Sequence, residues 1–165
     1  MYEIGDGKFK VEVSNIRGNA TAFIKDQDNK VLFKRKVKGK DMLNLTFDLS
    51  QTKSGDYMFI IEDEYKRQLV PFTLDKEVVQ IHLDRMDRLN FPQLIKNDDK
   101  VMLKFLAGGK EHLTIDIKDI YGEVLFHDEI EGVVGLVGKQ FQFKPGDYLV
   151  TMSCEYYSKT EYLSF

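Results

Sequence analysis

Ile24-Lys25-Asp26-Gln27-Asp28-Asn29-Lys30-Val31-Leu32-Phe33 returns later in the chain as Ile117-Lys118-Asp119-Ile120-Tyr121-Gly122-Glu123-Val124-Leu125-Phe126. The outer triplets of this stretch keep one separation of 93 residues, 24 to 117 and 31 to 124. Further on, Gly55-Asp56-Tyr57 returns as Gly146-Asp147-Tyr148 and Glu64-Tyr65 as Glu155-Tyr156, both at a separation of 91, so a short loop deletion lies between the two runs. One match can arise by chance, but several in one order at nearly constant spacing mark a duplication. The copies run from about Lys8 to Leu83 and from about Lys100 to Phe165, with Pro92 and the polar run Lys96-Asn97-Asp98-Asp99-Lys100 between them. The expected organisation is therefore a module over 1–83, a linker over 84–100 and a second module over 101–165.

Within each copy the apolar residues alternate with period two, the pattern of strands with one buried face. Phe9, Val11 and Val13 alternate with Lys8, Lys10 and Glu12, and Leu113, Ile115 and Ile117 alternate with Thr114, Asp116 and Lys118. Leu43, Leu45, Phe47 and Leu49 predict another strand; Tyr57, Phe59 and Ile61 predict a further one, matched in the second copy by Tyr148, Val150 and Met152. Asp26-Gln27-Asp28-Asn29 and Asp119-Ile120-Tyr121-Gly122 hold residues that tolerate left-handed backbone, so each reads as a hairpin turn joining antiparallel strands. Six or seven short strands per copy with no helical period between them predict an all-β fold, two tandem immunoglobulin-like antiparallel β-sandwich domains. A small open barrel is the alternative.

Composition bounds the function. The chain has 165 residues, 42% apolar and 31% charged, with 24 basic against 27 acidic residues, so it can build packed cores but has no strong field for nucleic acid or anionic lipid. No apolar run approaches the roughly 20 residues of a membrane span. No signal-peptide pattern opens the chain, and a chain beginning after a removed export signal would read the same way. One cysteine, Cys154, allows no internal disulfide, so packing alone must hold each core.

Asp119-Ile120-Tyr121-Gly122-Glu123-Val124-Leu125, Phe47-Asp48-Leu49-Ser50 and Ser54-Gly55-Asp56-Tyr57 give the chain a familiar outline. It resembles the immunoglobulin-like modules of small exported proteins and C-terminal secretion-sorting domains of Bacteroidetes-type bacteria. The resemblance implies fold and export, hence a periplasmic or secreted location, and no activity. The second copy reads Phe141-Gln142-Phe143-Lys144-Pro145 where the first has its Leu-Ser step, and two copies are present, so a pure sorting tail is not expected.

The residue patterns point away from catalysis. His82, His112 and His127 lie far apart in sequence without ligand spacing, so no metal or other cofactor is expected. Cys154 shares the parity of Val150 and Met152 and should point to the core. Asp26-Gln27-Asp28-Asn29-Lys30 lacks the glycine and terminal glutamate of a calcium loop. The carboxylates fall on polar strand faces and turns, and Gly108-Gly109 and Gly132 to Gly138 sit between strands rather than before a helix, which disfavours nucleotide binding.

Two regions stand out as candidate binding elements. The linker carries Leu89, Phe91, Leu94 and Ile95, too apolar for a tether, so it should pack against one or both modules. Gly132-Val133-Val134-Gly135-Leu136-Val137-Gly138 is apolar where the first copy has Gly39-Lys40-Asp41-Met42. The candidate contact residues are thus Val133, Val134, Leu136, Val137 and Phe91, on a loop or, alternatively, on a strand packed into the second core. The expected function is a non-enzymatic extracytoplasmic binding or assembly module for a protein or glycan, with a carbohydrate-active hydrolase or a structural or sorting appendage as alternatives.

Overall fold

The computed structural model describes residues 1–16, 18–38 and 42–165. Alternating segments become strands throughout: β1 (Tyr2–Gly5), β2 (Lys8–Ser14), β3 (Asn19–Asp26), β4 (Val31–Lys38), β5 (Met42–Asp48), β6 (Gly55–Glu62), β7 (Lys66–Asp75), β8 (Val78–Ile81) and β9 (Asp87–Asn90). A second run follows: β10 (Gln93–Asn97), β11 (Lys100–Gly108), β12 (Leu113–Asp119), β13 (Val124–Ile130), β14 (Val134–Gln142), β15 (Asp147–Cys154) and β16 (Tyr157–Ser164). One short 3-10 turn, Leu83–Arg85, is the helical element of the described residues. The chain divides into two compact units, Met1–Leu89 and Asn90–Phe165.

In the first unit a three-stranded sheet of order β1-β2-β5 faces a larger sheet of order β4-β3-β6-β7-β8, to which β9 adds through β7. In the second, β10-β11-β14 faces β13-β12-β15-β16. Leaving the β7–β9 pairing aside, the strand ladders of the described residues are antiparallel. Setting β1 against β10 and running onward, each of the seven strands has the same neighbours in both units; β8 and β9 are additions to the first. The fold is an all-β sandwich. The fourth strand of each set pairs with the third, unlike the constant-type immunoglobulin arrangement, in which it pairs with the fifth in the sheet that also holds the first and second.

The repeated motifs build the same hairpin twice. Asp26 Oδ1 accepts the N–H groups of Asp28 and Lys30 at 3.0 and 2.9 Å, and Asp119 Oδ1 accepts those of Tyr121 and Glu123, both at 2.9 Å. An Asp carboxylate that caps its own turn in this way replaces a backbone turn hydrogen bond. Asn29 and Gly122 take φ of 62° and 89°, a region that Asn and Gly occupy at low cost. The ladder then slips by one residue at Ile24/Lys25 and again at Ile117/Lys118. The carboxylate of Asp26 is thus committed to a hairpin turn.

Inward-facing rows meet between the sheets. Phe9, Val11, Leu43, Leu45 and Phe47 of the smaller first sheet pack on Ala22, Ile24, Phe59, Ile61, Phe72 and Leu74 of the larger. Phe47 lies 4.9 Å from Phe9, 4.7 Å from Phe33 and 5.8 Å from Phe59 by ring centroid, in offset and edge-on arrangements favoured by aromatic quadrupoles. The second core is built from Leu103, Phe105, Leu113, Ile115 and Met152, with Val101, Ile117, Phe143, Val150 and Leu163 continuing it.

The segment 84–100, expected as a linker, holds the end of the 3-10 turn, β9 and β10, and the division between the units falls inside it, at Leu89/Asn90. Phe91, 5% exposed, stacks on Tyr157 with centroids 4.4 Å apart, which accounts for an aromatic residue at the start of the second unit.

Tyr57 and Tyr148 fill corresponding places. The Tyr57 hydroxyl donates to the Lys53 carbonyl at 2.5 Å and the Tyr148 hydroxyl to the Lys144 carbonyl at 3.2 Å, each tying a strand start to the chain four residues earlier. Tyr57 is the more buried and stacks on Phe72 at 5.5 Å, whereas Tyr148 is half-buried, edge-on to Phe143. Tyr57→Ala should therefore lower the unfolding free energy by about 3 kcal/mol or more, and Tyr57→Phe, which loses only the hydrogen bond, by about 1 kcal/mol. Denaturant midpoints of the two variants, compared with Tyr148→Ala as the milder truncation, check both values.

Candidate functional site

Gly135 and Gly138 do not interrupt pairing: β14 runs through both, matched residue for residue with β11 from Gly108↔Val134 to Lys100↔Gln142. Of the two expected forms, loop or strand, the segment takes the strand, because its neighbour supplies a continuous ladder that offsets the weak strand preference of glycine. Parity then sorts the candidate residues. Val134 and Leu136 face outward, 80% and 72% exposed, and Val133 just before the strand is 38% exposed. Val137 faces inward against the second core, and Phe91 is buried against Tyr157, so these two candidates do not belong to the exposed surface.

Other residues join the exposed face. Leu106, 51% exposed, lies directly opposite Leu136 on β11, and Ile95 and Met102, 46% and 38% exposed, sit opposite one another on β10 and β11. The Val134 side chain covers Gly109, where an added Cβ would come within 2.8 Å of its Cγ2. The corresponding sheet of the first unit presents Lys8 paired with Asp48 at 3.7 Å and Lys10 paired with Glu12 at 2.9 Å, with exposed Met42 at its end. Residues 39–41, whose polarity entered the comparison of the copies, lie outside the described residues.

The edge of this sheet is closed in another way. Lys139 occupies the register position that Leu45 holds in the first unit, pointing inward from β14, and forms an ion pair with Asp128 on β13. Both side chains are partly exposed, 37% and 26%. An inward charge on an edge strand is costly to cover with another chain and discourages edge-to-edge strand addition. Phe126 and Phe141, edge-on at 5.2 Å, lie on the same two strands.

The β12–β13 hairpin also brings together groups that are remote in sequence. His127 Nδ1 is 2.7 Å from Asp116 Oδ1 and its Nε2 is 3.3 Å from Glu129 Oε1. The Asp116 hydrogen bond holds the imidazole above its ordinary pKa of 6.5, with Glu129 adding to the effect. His112 continues the row, its Nε2 3.4 Å from Glu129 Oε2 and its Nδ1 3.3 Å from Glu131 Oε1. His112 and His127, far apart in sequence, thus both approach Glu129 in the fold. The hairpin register carries the signal: with Leu113 opposite Ile130, the residue before Leu113 meets the residue after Ile130. His82 stands apart, 3.0 Å from the Thr73 hydroxyl.

Two clefts of the described residues hold carboxylates that are in part already engaged. The cleft over β2 and β6 has Glu12 as its carboxylate, already paired with Lys10. A second cleft holds Asp26, Asp28 and Asp56, but Asp26 caps its turn and Asp56 accepts from the Thr73 hydroxyl at 2.8 Å. Burial pushes the half-buried Cys154 thiol up, the reverse of what an attacking thiolate needs.

No family model matches this chain, and no curated protein matches it. Among solved structures it is similar to a chain titled "Biofilm associated protein - BSP domain", at 11% identity and a TM-score of 0.29, covering 94% of this chain and 26% of that one. The chain thus spans about a quarter of the length of that protein.

Lys139→Met should cost about 1 to 2 kcal/mol by leaving the Asp128 carboxylate without its partner in a partly buried setting. The joint change Lys139→Leu with Asp128→Val should recover stability to within about 1 kcal/mol of the parent while increasing aggregation, since the edge loses its inward charges. Denaturant midpoints and static light scattering read the two effects separately.

Proposed function

We propose that this chain is a non-enzymatic binding or assembly module that meets a protein partner through the outward face of β10-β11-β14. The observation that carries this reading is the row of Leu106, Leu136 and Val134, 51%, 72% and 80% exposed on a strand pair whose inward side already fills the core. Apolar side chains held at this exposure on a rigid sheet serve the fold little and fit the apolar centre of a protein interface. A glycan would call for a set of fixed polar donors, which this row of aliphatic side chains does not offer. The Lys139–Asp128 pair favours contact by the sheet face over strand addition at the β14 edge.

The non-enzymatic reading is supported by Glu12, Asp26 and Asp56, cleft carboxylates already engaged in an ion pair, a turn and a hydrogen bond from Thr73. A periplasmic or secreted setting is part of the proposal and rests on the resemblance to exported modules. No helix among the described residues is long and apolar enough to cross a membrane.

Val134→Thr with Leu136→Thr tests the contact face while keeping strand preference, because threonine is β-branched and polar. Both positions are exposed, so stability should change by no more than about 0.5 kcal/mol. A partner captured from envelope extract by the parent protein should be lost with the double variant at equal protein load. Equal capture, or a loss of several kcal/mol in stability, would place the contact elsewhere.

A further inference from the structure

We propose that His112, Glu129 and Glu131 form a binding site for a first-row divalent transition metal such as Zn2+, bridging the open end of the β12–β13 hairpin. One candidate ligand atom from each residue lies within 4.8 Å of the others. In tetrahedral coordination with bonds near 2.1 Å, neighbouring ligand atoms stand about 3.4 Å apart. The His112 nitrogens stand 3.4 and 3.3 Å from the two glutamate oxygens, so these pairs already have ligand spacing. The carboxylates face different nitrogens of one ring; an ion held at Nε2 with Glu129 needs Glu131, 66% exposed and free to turn, to swing across.

The His112 contacts themselves call for a cation. A neutral imidazole has one N–H and one lone pair, yet carboxylates stand at both ring nitrogens, so one of them meets a lone pair. Nε2 is closed off from solvent and makes no hydrogen bond among the described residues, an uncommon state for a buried polar atom. A metal ion on the lone-pair nitrogen would resolve the clash, with the two glutamates completing its ligand set. Glu129 is oriented from behind: His127, held by Asp116 at 2.7 Å, approaches its other oxygen at 3.3 Å. Supporting contacts of this kind fix ligand direction and tune affinity. An imidazole with two carboxylates suits zinc and its neighbours, whereas calcium takes six to eight oxygens and no nitrogen.

The test uses the full chain without a histidine tag, titrated with Zn2+ by calorimetry and with Co2+ by visible absorption. One saturable ion per chain is expected, with a raised melting temperature in Zn2+ and none in Ca2+ or Mg2+, because an ion bound only by the folded state stabilises it. His112→Gln should abolish saturable binding and Glu131→Gln should weaken it, with circular dichroism unchanged. His127→Gln should weaken binding by about tenfold, as loss of an orienting partner does. His82→Gln serves as the control and should bind as the parent does. Absence of saturable Zn2+ binding by the parent, or binding of equal strength by His112→Gln and Glu131→Gln, overturns the site.

Discussion

The packing of two inward sheet faces against each other is the contact on which the rest of each unit depends. Stacked sheets stand about 10 Å apart, a gap filled mainly by large apolar inward side chains. Phe47 shows this directly, touching Phe9 on its own sheet and Phe33 and Phe59 on the other. The second unit meets the same demand with Leu103, Phe105, Ile115 and Met152, all nearly without exposure. The chemistry of the residues differs between the cores while the strand order does not. Sandwiches of this size accept such exchanges because volume and alternation are kept.

With the cores settled by inward positions, the outward positions are free to differ. In the first unit they carry ion pairs along β2 and β5, and in the second they carry Leu106, Leu136 and Val134. The edge follows a separate logic. Lys139 gives up the core position that Leu45 holds in the first unit and pairs with Asp128, a small loss in packing that keeps an exposed strand edge from recruiting further strands. The exposed apolar positions and the guarded edge thus lie on one strand, β14, separated only by the parity of its residues.

Much of this fold is written in local pattern. Phe9 and Val11, Leu113 and Ile115, and the two Asp-capped turns are legible because alternation and turn chemistry act within a few residues. β9, with the sequence Asp-Arg-Leu-Asn, has no alternation to read; pairing with β7 makes it a strand. β14 misleads for the opposite reason, as Gly135 and Gly138 look like strand breaks until the ladder to β11 is known. The histidine–carboxylate row on the β12–β13 hairpin depends on register, which local composition does not set. Leu106 and Met102 were hidden from the contact face for a simpler reason: an alternating strand shows which residues share a side, not which side is covered.

Each unit is held by its own pair of packed sheets, leaving outward faces available for other work. Native-state hydrogen exchange on the full chain tests it most directly, since the slowest amides report the most stable structure. The account predicts two separate sets of strongly protected amides, in β3 and β6 of the first unit and in β12 and β15 of the second, with the outer amides of β14 exchanging much faster. Rapid exchange throughout β12 and β15 while β3 and β6 stay protected would contradict it, because the second unit would then lack a core of its own.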